Sequence, residues 1–143
     1  MAAKPFVVAP KDYAPALNLV GEQITVLASG EATESYEIFL QRGPEGSGPP
    51  PHSHPWDESF YVTRGEVAFG LGDESATASA GTLVHVPGKT VHWFRFGKDG
   101  EMLSMTSRAG AAKMCADLAR ETAAANGDPG KLAEVGARHG LKV

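Results

Sequence analysis

The most informative stretch of the chain is GSGPPPHSHPWDE, residues 46–58, in which two histidines stand one residue apart. Residues 43–55 contain three glycines and five prolines, so this loop is stiff in places and has few N–H donors to give to a sheet. On an extended chain His52 and His54 point to the same side, about 6.6 Å apart along the strand. Two imidazoles with that spacing can bind one metal ion.

A carboxylate follows at Glu58, where the chain leaves the loop and a strand is predicted to begin. Alternation places Glu58 on the apolar face with Phe60 and Val62, while Asp57, the rival carboxylate, falls on the opposite face. A buried carboxylate without a partner is costly, and a metal cation removes that cost. We therefore predict Glu58 as a metal ligand and as the catalytic group that accepts a proton from a substrate.

A third imidazole is expected from GTLVHVPGKTVH, residues 81–92. His92 shares one predicted strand face with Phe94 and Phe96, so it is a single polar residue among apolar ones. His85 alternates with valines and is predicted as a structural or surface histidine, with an accessory role at the site as the alternative. Three imidazoles and a carboxylate favour one divalent transition metal (Fe, Mn, Ni, Co, Cu or Zn) over Mg or Ca and leave coordination positions open.

The rest of the chain favours a β fold followed by helices. Short segments rich in β-branched and aromatic residues alternate with turn residues, which is typical of a sandwich or barrel. Predicted strands span residues 23–28, 35–41, 59–63, 66–71, 75–79, 83–86, 91–96 and 102–107. Ten alanines between residues 109 and 137 then indicate helices, the first with an apolar stripe that includes Met114, Cys115 and Leu118. Asp128 and Pro129 are predicted to begin the second helix, and Gly140 to end it.

Composition excludes several classes of protein. With 143 residues the chain is the size of one domain, and a net charge of -4 disfavours nucleic-acid binding. No apolar run is long enough to span a bilayer, and Pro10 interrupts the apolar N-terminal run, so we expect a cytoplasmic protein with no membrane partner. Cys115 is the single cysteine, which disfavours an internal disulfide and a thiolate metal site.

Together the two histidine segments resemble the two motifs of the cupin superfamily, G-x5-H-x-H-x3-E-x6-G and G-x5-P-x-G-x2-H-x3-N. The positions that match are Gly46, His52, His54, Glu58 and Gly65 in the first motif and Gly81, Pro87 and His92 in the second. The chain departs from the second motif at Lys89, where the motif has Gly, and at Phe96, where it has Asn. Most of the chain is similar to the small single-domain cupins that are labelled quercetin-dioxygenase-like.

This resemblance implies an all-β cupin barrel of jelly-roll type with C-terminal helices. The expected division is an N-terminal arm at residues 1–20, the barrel at 21–108 and a helical extension at 109–143, in a homodimer. The leading hypothesis is a mononuclear metal-dependent dioxygenase. Two alternatives stay open, namely a non-catalytic protein that binds or senses a small molecule and a metal-dependent isomerase or lyase.

The inward aromatic residues are expected to form the barrel core or an apolar pocket around the metal. They are Tyr36, Phe60, Phe94 and Phe96. Because Phe96 replaces the polar residue of the motif, we expect a dry pocket that prefers a small aromatic or apolar molecule to a phosphorylated sugar.

Overall fold

The computed structural model describes residues 3–107 and 110–143, and within them the chain forms two antiparallel sheets and two longer helices. The strands are β1 Leu17–Leu19, β2 Glu22–Ala28, β3 Glu37–Arg42, β4 Glu58–Arg64, β5 Glu66–Leu71, β6 Glu74–Ser79, β7 Leu83–Val86, β8 His92–Phe96 and β9 Glu101–Thr106. The helices are α1 Gly30–Thr33, α2 Ala111–Ala124 and α3 Pro129–Arg138, together with a 3₁₀ turn at Pro10–Asp12.

The strand order is β1-β2-β3-β9-β4-β7 in the large sheet and β6-β5-β8 in the small sheet, an arrangement of jelly-roll type. The eight predicted strands are confirmed as β2 to β9, with ends that differ by two residues at most. The three-residue β1 is too short to show alternation, and it lies in the segment expected to be an arm. Glycines with positive φ, Gly65 and Gly72, make the tight turns on either side of β5.

Both C-terminal helices are confirmed. Helix α2 buries Met114 and Leu118 of the predicted stripe, and the Asp128 side chain accepts a hydrogen bond from the Gly130 N–H at the start of α3. Gly140, with φ +86°, follows α3 as expected. The predicted boundary at residues 108 and 109 lies outside the described residues. None of the described helices is long and apolar enough to cross a membrane.

The predicted inward position of Tyr36, just before β3, is wrong. Alternation is present, but Glu37, Phe39 and Gln41 point inward, and Tyr36 before the strand is 51% exposed. The inner positions tolerate polar groups because these find partners. The Glu37 carboxylate accepts hydrogen bonds from the Gly30 N–H at 2.9 Å and from the Ala112 N–H at 3.2 and 3.3 Å. Glu37 therefore attaches the start of α2 to the sheet.

The buried apolar residues form two clusters. The barrel core lies between the small sheet and strands β4, β7 and β9, and consists of Phe60, Val62, Val67, Phe69, Ala78, Val84, Val86, Phe94, Phe96 and Met102. The helix-side core lies between strands β1 to β3 and helices α2 and α3, and consists of Leu19, Ile24, Phe39, Trp56, Ala111, Met114, Leu118, Val135 and Leu141. The C-terminal helices therefore complete a fold that the two sheets leave open on one side.

Candidate metal centre and cavity

The loop that contains His52 and His54, here called the histidine loop, is held by backbone pairing on two sides. On one side it pairs with β8, and on the other with the C-terminal segment that follows α3. His52 and His92 exchange N–H···O bonds of 2.9 and 2.8 Å, and Ser53 and Lys142 exchange two of 2.8 Å. The loop therefore acts as a short extra strand, and its pairing with Lys142 has no signal in the sequence. This pairing places His52 and His54 opposite His92, and their ligand atoms lie within 4.8 Å of one another.

Each imidazole is oriented by a backbone carbonyl two residues away. His52 Nδ1 donates to Pro50 O at 2.8 Å, His54 Nδ1 to Trp56 O at 3.0 Å, and His92 Nδ1 to Thr90 O at 2.8 Å. Because a carbonyl only accepts, each Nδ1 carries the proton, and a neutral ring then presents the lone pair of Nε2 to the centre. Burial lowers the pKa of His52 to about 4, so this ring is neutral at physiological pH.

Glu58 reaches the same point from the start of β4. Its Oε1 lies 3.0 Å from His54 Nε2 and 3.7 Å from His92 Nε2, and its Oε2 accepts a 2.8 Å hydrogen bond from the Ser104 hydroxyl. Burial alone raises the pKa of Glu58, but without an ion a proton held between His54 Nε2 and Glu58 Oε1, the nearby His92 ring and the Ser104 hydroxyl outweigh burial and lower this pKa to about 2. The carboxylate is therefore ionised.

The three imidazoles can hold a divalent transition metal, and the Glu58 carboxylate lies against two of them. The carboxylate oxygen and the lone pair of a neutral Nε2 are both acceptors, so a cation between them satisfies both. His92 Nε2 is buried and has no hydrogen-bond partner among the described residues, which is the state expected of a metal-binding nitrogen before the ion is added. Of the four residues predicted as ligands, the structure thus places the three histidines within 4.8 Å of one another and Glu58 against His54 and His92.

Two other residues near the site lie where the sequence analysis expected them, outside the centre. The Asp57 carboxylate accepts a 2.8 Å hydrogen bond from the Gly88 N–H, and His85 Nδ1 lies 2.8 Å from the Ser59 hydroxyl on the exposed face of the sheet. Lys89 adopts φ +70°, the left-handed conformation that the Gly of the cupin motif takes without strain. Its N–H donates to His54 O at 2.7 Å, so the turn keeps its geometry despite the departure.

A cavity of about 100 Å³ adjoins three of these four residues and extends under the C-terminal helices. One end is polar, formed by His52, His54 and Glu58. Most of the remaining wall is apolar, and residues of the helices and the C-terminal segment contribute Met114, Cys115, Leu118, Leu132, Leu141 and Val143. Burial raises the pKa of the Cys115 thiol, which therefore stays protonated and belongs to the apolar wall.

The four aromatic residues predicted around the metal have different positions. Phe94 lines the cavity, whereas Phe60 and Phe96 are buried in the barrel core. Tyr36 is on the outer side, next to a shallow groove that includes Ile38 and Met105. The cavity is apolar because of the helices, and Phe96 is not the cause, since this ring packs against Phe94 within the barrel.

The sequence analysis missed a second polar pair in the cavity, Glu22 and Gln41. Gln41 Nε2 donates to Glu22 Oε1 at 2.8 Å, and the two side chains are 7% and 2% exposed. Burial raises the pKa of Glu22 to about 8, although the bond from Gln41 acts to lower it. The available signal was alternation, because Glu22 shares a strand face with Ile24 and Gln41 shares one with Phe39.

Comparisons with known proteins agree with this architecture. Residues 39–106 match the family model described as Cupin domain, and no curated protein matches the sequence. An RmlC-like cupin from Shewanella frigidimarina aligns with a TM-score of 0.69 and 16% identity over 79% of this chain and 99% of that one. KdgF from a Halomonas species aligns with a TM-score of 0.66 and 20% identity over 73% of this chain and 94% of that one.

The polyketide cyclase RemF from Streptomyces resistomycificus aligns with a TM-score of 0.61 and 16% identity, over 73% of this chain and 78% of that one. Identities this low show the fold alone. The chain has a jelly-roll fold like that of cupins, and residues 39–106 match the cupin family model.

Proposed function

We propose that this cupin-fold protein is a mononuclear metal-dependent enzyme that acts on a small, largely apolar molecule. The observation that carries the proposal is the convergence of three imidazoles and an ionised carboxylate at one end of a cavity whose other walls are mostly apolar. A divalent transition metal held by His52, His54, Glu58 and His92 supplies a Lewis-acid centre and, if it is redox-active, an electron-transfer centre.

The chain itself positions the substrate and excludes water. Met114, Leu118 and Leu141 cover the cavity, so a substrate that enters it leaves water and gains from the burial of its apolar surface. Glu58 stands at the polar end as an ionised carboxylate and can accept a proton from an acidic substrate oxygen.

We place dioxygenase chemistry of the quercetin-dioxygenase-like kind first among the possible reactions. A metal held by three histidines and one carboxylate keeps open coordination positions for O2 or a substrate. The apolar cavity suits an aromatic substrate. A second candidate, an isomerase or lyase that does not use O2, is favoured by the two carboxyl groups in one cavity. Burial raises the pKa of Glu22 to about 8, so its carboxyl group is protonated at neutral pH and can act as an acid, while Glu58 is ionised.

Metal binding is the first test. We expect about one transition metal per chain by elemental analysis, and we expect His92→Ala and Glu58→Gln each to weaken metal binding at least tenfold on titration of the apo protein. The matched controls are His85→Ala and Asp57→Asn, which lie beside the centre but outside it. Equal losses in all four variants, or no binding of any metal by the wild-type protein, would refute the proposal.

Turnover separates the reaction classes. Oxygen uptake by the metal-loaded protein is measured with single-ring phenols, small diketones and thiols, and product formation is followed again without oxygen. Uptake that Glu58→Gln abolishes supports the dioxygenase. Conversion that persists without oxygen supports the isomerase or lyase, and tight binding without conversion indicates a binding or sensing protein.

We further propose that the protein is a cytoplasmic homodimer. The outer face of the large sheet supports the dimer, because Tyr61, Leu83 and Met105 are 44%, 60% and 42% exposed on neighbouring strands. Light scattering should give twice the mass of one chain, and Leu83→Glu should shift the protein to monomers. An unchanged mass in Leu83→Glu would exclude this face, and cell fractionation tests the location.

A further inference from the structure

The cavity contains a second group of buried polar side chains, which is separate from the candidate metal ligands. Glu22 on β2 and Gln41 on β3 both line it, joined by the 2.8 Å bond from Gln41 Nε2 to Glu22 Oε1. Gln41 Oε1 is buried and has no hydrogen-bond partner among residues 3–107 and 110–143. A buried amide oxygen left unsatisfied costs about 1–3 kcal/mol, so a partner is expected that the chain does not supply.

We propose that Glu22 and Gln41 form a subsite that binds a hydroxyl group of the cavity ligand. A hydroxyl fits this pair because it both donates and accepts. Its O–H can donate to Gln41 Oε1, and its oxygen can accept from the protonated carboxyl of Glu22. The inference deepens the proposed function and rests on it, since it gives the substrate class as a small ring or enol that carries a hydroxyl away from the metal-binding end.

The charges around Glu22 agree with a protonated carboxyl. The Glu58 carboxylate raises the pKa of Glu22, as burial does, while the Gln41 amide is neutral. From helix α2 the nearby titratable group is the Cys115 thiol, whose own pKa is raised, and from the histidine loop it is the His52 imidazole. Among the described residues that line the cavity there is no Lys or Arg. The subsite therefore favours a neutral hydroxyl over a phosphate or carboxylate.

The size of the cavity restricts the ligand further. A volume of about 100 Å³, against roughly 150 Å³ for an apolar cavity that binds benzene, limits the buried part of the ligand to one small ring. The apolar wall from α2 and the C-terminal segment contacts the ring, and Glu22 with Gln41 binds the hydroxyl. Phenol and toluene are matched probes, because they share the ring and differ in the hydroxyl.

The test compares the affinities of phenol and toluene by NMR titration at pH 6.5, with the full chain both metal-free and loaded with Zn²⁺. We expect the wild-type protein to bind phenol at least fivefold more tightly than toluene in both forms. Gln41→Leu and Glu22→Leu should each reduce this preference to less than twofold, whereas Glu22→Gln, which keeps a neutral donor, should retain it. Thermal unfolding confirms that each variant is folded, and Gln41→Met replaces Gln41→Leu if that variant does not fold.

The matched control is Gln23→Leu, since Gln23 lies on the same strand as Glu22 but on the outer face, where it accepts a bond from Arg42. This variant should keep the wild-type preference. A preference that survives in Gln41→Leu and Glu22→Leu, or that is missing from the wild-type protein, would overturn the subsite. If Zn²⁺ does not bind but the preference depends on Glu22 and Gln41, the metal proposal fails while the subsite remains.

Discussion

The inner face of the large sheet is covered by the small sheet over β4, β7 and β9, and by helices α2 and α3 over β1, β2 and β3. The first half is filled by aromatic rings such as Phe60, Phe69 and Phe94, whose centroids lie 5.2 to 6.3 Å apart. The second half contains the buried polar side chains Glu22 and Gln41 and the cavity. The four predicted metal ligands lie where the two halves meet.

This difference shows how the fold separates stability from binding. Aromatic rings of the barrel core interlock and leave little space for a ligand, so this half provides a rigid wall for the site. The helices bring smaller or more flexible side chains, such as Met114, Leu118 and Leu132, against a sheet face that retains polar groups. Space and hydrogen-bonding capacity therefore remain on the helix side.

The largest effect is expected from deleting residues 110–143. The barrel core keeps its small sheet, but Ile24 and Phe39 lose the apolar cover that α2 and α3 provide. We expect the truncated chain to aggregate, as measured by size exclusion with light scattering. A soluble monomer as stable as the whole chain would show that the helix side contributes nothing to folding.

A matched pair of substitutions compares the two halves directly. Phe60→Ala should lower the free energy of unfolding by about 3–5 kcal/mol, because the barrel core cannot collapse around the lost ring. Phe39→Ala should cost about 1–2 kcal/mol less, since Phe39 already borders the cavity and makes fewer packing contacts on that side. Urea unfolding gives both values. Equal losses would mean that the helix side is packed as tightly as the barrel core.

The pH dependence of stability should arise from Glu22 on the helix side. Its pKa is about 8 in the folded chain against 4.5 as the ordinary value, so from pH 4.5 to 8 the folded chain keeps a proton that the unfolded chain has released. The free energy of unfolding therefore falls as the pH rises through this range. The lowered pKa of His52 acts in the opposite direction, between about pH 4 and 6.5, which makes pH 6.5 to 8 the useful window.

In metal-free protein we expect a loss of about 1–2 kcal/mol between pH 6.5 and 8, measured by urea unfolding. Glu22→Gln should remove this loss, and Glu66→Gln, which changes an exposed carboxylate, should leave it unchanged. A wild-type protein as stable at pH 8 as at pH 6.5 would contradict the assignment.

The smallest effect is expected at Lys89. This residue holds a left-handed φ of +70°, which costs an L-residue about 1–2 kcal/mol, while glycine adopts it freely but loses more backbone entropy on folding. Lys89→Gly should therefore raise the free energy of unfolding by up to about 1 kcal/mol and leave metal affinity unchanged. Gly88→Ala is the contrasting variant, since a Cβ there would collide with the Pro55 carbonyl. A Lys89→Gly protein less stable than wild type would show that the lysine side chain stabilises the turn.

Local pattern was enough to predict the strands, the two helices and the four residues that converge. Alternation identified Glu58 over Asp57, because the strand period directly separates inner from outer positions. Alternation failed at Tyr36, because it shows that two faces exist but does not show which of them is buried. The polar residues Glu37 and Gln41 lie on the buried face, which made that face look exposed. Glu22 and Gln41 escaped notice for the same reason.

Motif spacing and periodicity depend only on residues that are near one another in the chain. The sequence alone therefore determined the β fold, the C-terminal helices and the three histidines and one carboxylate of the candidate site. Which surface the helices cover depends on contacts between residues far apart in the chain, such as Glu37 with Ala112 and Ser53 with Lys142. No local pattern encodes such pairs, because each partner satisfies its hydrogen bonds only after the chain has folded. The cavity, its apolar wall and the Glu22–Gln41 pair arise from those contacts.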